Sequence, residues 1–290
     1  MWAQVVGKVV LELTPKINHW WNVTFRVSSR GLKTPLMYYG SRVFDAEFDF
    51  IRHDLTISTS DGESRSLRLE SRSVADFHSE FMECLKSLGV EVSIYGTPVE
   101  IPDPIPFAED TIHASYDREY AQRFWRVLVS CDRVMHEFRS RFIGKCSPVH
   151  FFWGSFDMAV SRFSGRRAPE RPGADVITRE AYSHEVSSVG WWPGGIGVED
   201  AAFYSYTVPE PPGFRDVVVK PTEAFFHQQL GEYILLYEDV RKASSPDRAL
   251  LEFMQTTYEA GANLGRWDRR ELEAMPVARG GERDAEMLAS

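Results

Sequence analysis

Cysteine is scarce in this chain. There are three, Cys84, Cys131 and Cys146, far apart and odd in number. No two have CxxC spacing, which removes support for a zinc ribbon or a dithiol redox motif. Cys84 and Cys131 fall on helical patterns and read as core thiols. The opening residues do not read as a leader: "MWAQVVGKVVLELTP" alternates apolar with polar residues instead of setting a charged stretch before an apolar one. No run of about 18 apolar residues occurs, so no signal peptide or bilayer span is expected, and a reduced cytoplasmic location is the default. Positive charge is short too. The net charge of −9 argues against a nucleic-acid partner, whose phosphates need a basic surface. Nucleotide and hydrolase loops are absent: there is no GxGxxG opening a helix, no GxxxxGK[ST], no HExxH, no GxSxG and no kinase loop set. "GGIG" at 194–197 precedes the strand-like "VEDAAFYSY" and reads as a turn.

Aromatic and apolar residues are plentiful. In 290 residues, 43% are hydrophobic and 13% aromatic, enough for a large core in one domain or two closely packed ones. The first half reads as strands with one helix. "GKVVLEL" and "WNVTFRVSS" alternate as strands do, the second with Val23, Phe25 and Val27 on one face. "DAEFDFIRHDLTISTSDG" reads as one long strand or two, closed by a turn, and "SLRLE" follows. "SRSVADFHSEFMECLKSLGV" is an amphipathic helix with Ser73 and Asp76 at capping-box spacing and Gly89 as its stop. "VEVSIYG" reads as a strand. Proline-rich residues 97–112 form an extended connector.

The second half opens with a long helix over 117–142. "VHFFWGSFDMAVSRFS", "REAYSHEVSSVGWW" and "DAAFYSYTVPEPPG" read as strands. "TEAFFHQQLGEYILLYEDVRKA", capped by Thr222, and "SPDRALLEFMQTTYEAGANL" read as helices. The expected organisation is a strand-rich half over 1–96, the connector, a helix–strands–helices half over 113–275, and a loose tail over 276–290. Strands come in clusters, not alternating with helices. That pattern predicts an α+β fold, mainly antiparallel, with packed helices and two similar-looking halves in one compact unit.

The motifs "NHWWN" (18–22), "FDFIRHDLTISTSDG" (48–62), "HASYD" (113–117), "FIGKCSPVHFFWGSFDMAVSRFSGR" (142–166) and "REAYSHEVSSVGWWPG" (179–194) resemble those of a bacterial family of about 300 residues catalogued only as a domain of unknown function. The resemblance spans nearly the whole chain. It implies a single family unit of this length and carries no activity, cofactor or partner with it.

The candidate chemistry lies among polar residues in aromatic company. On a strand, Glu180, Tyr182 and His184 share one face. His150 and Asp157 point to opposite faces unless Gly154 bulges the strand. The first catalytic scheme makes His184 a general base oriented by Glu180, with His150 and His113 as further groups. The second makes His113, His150 and His184 ligands of a divalent metal, which requires their imidazoles to converge. Each histidine taken singly also reads as a hydrogen-bonded structural residue. Arg162 and Arg166, basic residues close to the end of the long helix, fit an anion clamp as well as they fit a merely favourable place for positive charge. Trp20, Trp21, Trp153, Tyr182 and Trp191 are expected to line the pocket, with Trp191 at its rim or in a homodimer contact. The working expectation is a cytoplasmic enzyme acting on a small anionic organic molecule in an aromatic pocket, using His/Glu acid–base or metal-assisted chemistry. The alternative is a non-catalytic small-molecule-binding or interaction protein using the same pocket.

Overall fold

A computed structural model describes residues 1–195 and 197–274; the tail expected at 276–290 lies outside them. Two six-stranded antiparallel sheets with packed helices make an α+β fold. The chain begins with α1 (Trp2–Leu13) and a 3-10 turn at Asn18–Val23. The first sheet follows: β1 (Arg26–Val27), β2 (Gly31–Lys33), β3 (Met37–Tyr39), β4 (Arg42–Asp49), β5 (Asp54–Thr59) and β6 (Ser64–Arg68). Then come α2 (Val74–Ser87) and α3 (Arg118–Ser140). The second sheet holds β7 (His150–Phe152), β8 (Asp157–Arg167), β9 (His184–Trp192), β10 (Ala202–Val208), β11 (Phe225–His227) and β12 (Glu232–Leu236), with α4 (Val176–Ala181) between β8 and β9. The described chain closes with α5 (Tyr237–Lys242), α6 (Pro246–Leu264) and α7 (Arg269–Leu272).

Two expected helices form. Ser73 Oγ accepts from Asp76 N–H at 3.0 Å, and Val74, Phe77, Phe81 and Leu85 are the buried stripe of α2. Asp117 caps α3, accepting from Tyr120 N–H at 2.9 Å.

Four other readings need correction. "GKVVLEL" is the end of α1, not a strand. Val5, Val6, Val9 and Val10 repeat at helical spacing, and residues Gln4–Val10 are all buried, so packing overrides β-branched propensity. "VEVSIYG" alternates in exposure as a strand does but finds no neighbour: residues 90–117 form neither helix nor strand. "FFHQQLGEYILL" is a hairpin, β11–β12, not a helix. Gly231 turns it at φ 73°, a left-handed conformation that glycine adopts without cost, and Tyr233, Ile234 and Leu235 are buried. "REAYSHE" begins as α4, capped by Asp175, which accepts from the N–H groups of Ile177 and Thr178; the strand starts only at His184.

The second sheet runs β11-β12-β10-β9-β8-β7 and has two unlike faces. Met158, Val160 and Arg162 of β8, Val189 and Trp191 of β9 and Phe203 of β10 share one face by strand alternation. α3, α5 and α6 pack on this sheet. The opposite face carries Asp157, Ala159, Ser161 and Phe163, then Val186, Ser188 and Gly190, then Tyr204 and Tyr206. The two sheets join where Phe25 and Phe151 exchange backbone hydrogen bonds of 2.8 and 2.9 Å. One continuous core, from Val5 through Phe48 and Phe138 to Tyr258, contains side chains from both.

Candidate functional site

The second face of this sheet is the floor of a cavity of about 390 Å³. Its roof is the 3-10 turn with Trp20 and Trp21, its far wall is Ile177, Ala181 and Tyr182 from α4 and its C-cap, and its mouth includes Val99 and Glu100.

The floor depends on a hairpin that the strand reading missed. "HFFWGSFD" is two strands, not one: Phe152 pairs with Asp157 and His150 with Ala159. The chain turns between them, with Phe156 at φ 60°. His150 and Asp157 therefore lie on the same face with no bulge at Gly154.

Asp157 is the most unusual group. Its carboxyl is buried, and its partners are the hydroxyls of Ser155, on Oδ1, and Tyr204, on Oδ2. Gly190 makes the Tyr204 contact feasible. The ring crosses β9 directly above it, and a Cβ at Gly190 would sit 2.3 Å from Tyr204 Cζ. Loss of water pushes the Asp157 pKa up, and two neutral hydroxyls only partly oppose this. Two more carboxyls move the same way. Glu100, partly withdrawn from water at the mouth, is raised by desolvation and by Asp157. Glu232 on β12 is raised to about 7 by the same two causes. Tyr182 and Tyr206 hydroxyls bond at 3.2 Å, and Ser161 and Ser188 hydroxyls at 2.9 Å, completing a polar row on an aromatic floor.

The roof is held in a strained shape. His19 and Trp20 have φ of 58° and 61°, a left-handed conformation that costs bulky residues about 1–3 kcal/mol each and persists only when its surroundings fix it. Here they do. Glu180 Oε1 accepts from His19 N–H at 3.2 Å, and the carbonyls of Glu180 and Ala181 lie 3.0 and 3.2 Å from His19 Nδ1. Glu180 also pairs with Lys16, whose ammonium lies over Trp20. Lys145 Nζ is 2.6 Å from His19 Nε2. An ammonium can only donate, so Nε2 accepts and the proton sits on Nδ1, facing the carbonyls. Desolvation and Lys145 both push the His19 pKa down, consistent with that neutral tautomer. The mouth is tied down from within: the Gln4 amide of α1 bonds to both the N–H and C=O of Val99 at 2.8 Å.

The expected site residues are dispersed. Trp20, Trp21, Trp153 and Tyr182 line the cavity. His150 is buried, with Nδ1 3.1 Å from Thr24 Oγ1; desolvation, with Arg26 adding, drives its pKa down to about 3. His184 lies with its ring centroid 6.0 Å from that of His19, and its Nδ1 is 3.0 Å from Ser183 Oγ. Glu180 does not orient it, because the Glu180 carboxylate is taken by Lys16 and His19. His113 belongs to a different cavity of about 550 Å³ between α1, the first sheet and α3, and bonds to Asp110 at 2.8 Å. That cavity is mainly apolar, and three of the polar groups at its wall are paired: His113 with Asp110, Tyr116 with His53, Arg72 with Glu80. The three histidines do not converge, and no group of three or more His, Cys, Asp and Glu placed to hold a metal occurs among the described residues.

The arginines are elsewhere as well. Arg162 is fully buried on the helix-covered face, its guanidinium 3.4 Å from the Phe138 ring centre and 4.4 Å from that of Tyr258. Strand period puts it opposite Ser161 and away from the cavity. Arg166 reaches Glu185 at 2.9 Å and the carbonyls of Gly265 and Arg266 at the end of α6. Trp191 is not at a rim. It is buried on the helix side, 5.7 Å from Phe124, because register places it opposite Met158. The residues that sequence reasoning passed over are Asp157 as a site residue, Ser155, Tyr204, Glu100 and Glu232. The Gly-Ser step in "FFWGSFD" was the available turn signal for the first of them.

A family model for DUF5996, a family of unknown function, matches residues 1–274. No curated protein and no solved structure matches the chain.

Proposed function

As the chain belongs to the DUF5996 family, we propose its activity from its own cavity: it is an enzyme that encloses a small organic molecule there and moves protons through Asp157. The observation that carries this reading is the Asp157 carboxyl, buried at the cavity floor with two hydroxyl partners and no cationic one among the described residues. Such a carboxyl holds its proton more tightly than an ordinary aspartate and can deliver it to a bound molecule, then recover it. Glu100 at the mouth, also shifted upward, supports the same assignment, since upward shifts clustered in a cleft are typical of acid–base sites; Glu232, outside the lining, is raised by Asp157 as well as by burial. Trp20, Trp21, Trp153 and Phe152 supply flat apolar walls, and the hydroxyls of Tyr182, Tyr206 and Ser188 fix orientation. The part of the ligand on the floor is uncharged: the floor offers it hydroxyls, a neutral carboxyl and aromatic rings, with Arg162 and Arg166 placed elsewhere.

Asp157→Asn tests the reading, because the amide resembles the neutral carboxyl in shape and keeps hydroxyl partners. Compounds that stabilise the wild-type protein in a thermal-shift screen are incubated with both proteins and followed by mass spectrometry. A compound bound by both proteins and converted only by wild type is the expected result. Stabilising compounds recovered unchanged from wild type would replace catalysis with simple binding.

A further inference from the structure

We propose that a second recess, sharing Tyr182 with the aromatic cavity, is an anion site that holds the phosphate or carboxylate end of the cavity's ligand. The link to that ligand rests on the cavity reading above. The recess has a volume of about 350 Å³ and lies between the end of β8, the loop 168–173 and the end of α4. Arg167, Arg171 and Arg179 line it, with Glu170 as its one carboxylate. Among the described residues, most other arginines hold a carboxylate or a carbonyl, whereas these three have no salt bridge and their guanidinium groups make no hydrogen bond. Three cations against one anion give this recess a net positive charge in a chain whose total is −9. Unpaired guanidinium groups converging on one recess match the planar, bidentate geometry of phosphate and carboxylate.

The position of the recess adds a second line of argument. Tyr182 lines both spaces. One side of its ring lies under Arg171, 4.5 Å from the guanidinium carbon to the ring centre. Its hydroxyl reaches Tyr206 on the cavity floor. Ile177 and Ala181 of α4 face the cavity while Arg179 of the same helix faces the recess. Arg167 pairs across the sheet with His184, whose pKa is depressed first by desolvation and then by Lys145 and Arg167, so positive charge continues along the junction. A ligand with an uncharged aromatic or hydroxylated body and one anionic end would place the body over Asp157 and the charge among the arginines. This restores an anionic ligand by a different route from Arg162 and Arg166.

The test titrates the whole protein with inorganic phosphate, phenol and phenyl phosphate by calorimetry at low salt, alongside an Arg167→Ala/Arg171→Ala/Arg179→Ala variant. All three arginines are exposed, so the variant should fold. Inorganic phosphate and phenyl phosphate are expected to bind wild type and to lose about tenfold or more in affinity in the variant, with phenol unaffected. No phosphate or phenyl phosphate binding by wild type, or equal binding by the variant, would overturn the anion site. Phenol bound and phosphate ignored would overturn it while leaving the cavity reading standing. Arginine-dependent phosphate binding with phenol ignored would support the anion site and count against the cavity.

Discussion

Gly190 decides whether Asp157 has its tyrosine partner. With hydrogen as its side chain, the Tyr204 ring can lie across β9 and bring its hydroxyl to the carboxyl. Gly190→Ala forces a methyl group into that ring. Overpacking of this kind costs about 1–3 kcal/mol, and urea unfolding should register a loss in that range. A variant as stable as wild type would mean the ring is free to move aside. This contact was not legible in the sequence, because it joins residues on neighbouring strands whose register depends on the whole sheet. The aromatic lining was legible, since Trp20, Trp21, Trp153 and Tyr182 stood out as large side chains beside turns. Arg162 was misplaced because arginine is read as a surface residue, whereas here three aromatic rings enclose it.

At the scale of elements, the readings that held were those with two agreeing signals. α2, α3 and α6 each have an apolar stripe together with a residue suited to start the helix, and each forms. "GKVVLEL" and "FFHQQLGEYILL" had one signal apiece, and tertiary packing chose the other state for both. The hairpin β7–β8 has the largest consequence. Read as a single strand, it separates His150 from Asp157; folded at Trp153–Phe156, it places both on the cavity face and sends Phe156 to stack on Phe124 in the other cavity at 5.3 Å. Likewise, α4 converts an expected Glu180–Tyr182–His184 row into three separate jobs. Glu180 pins the roof, Tyr182 divides cavity from recess, and His184 starts β9.

At the scale of the whole molecule, the cavity leaves its mark on stability. Folded Glu232 keeps its proton up to about pH 7, whereas an unfolded glutamate gives it up near 4.5. Between those values the folded state binds more protons, so this group lowers stability as pH rises through that window. His150, held neutral down to about pH 3 against an ordinary 6.5, works in the opposite direction, lowering stability as pH falls through its own window. Glu232→Gln isolates the first effect. It should stabilise the protein at pH 8 by up to about 3 kcal/mol and leave it unchanged at pH 4; the same gain at both pH values would contradict the raised pKa.

The α+β class and the antiparallel clustering followed from strands grouped in sequence, whereas the two-faced second sheet did not, since only register reveals which side each strand residue takes. That sheet presents the central claim, a buried Asp157 carboxyl whose pKa is raised above that of an ordinary aspartate. Carbon-13 NMR of the aspartate carboxyls, with the Asp157 signal assigned by its loss in Asp157→Asn, measures it most directly. The account predicts a signal whose titration midpoint lies above pH 3.8, the ordinary midpoint for aspartate. A signal that titrates at or below that value would contradict it.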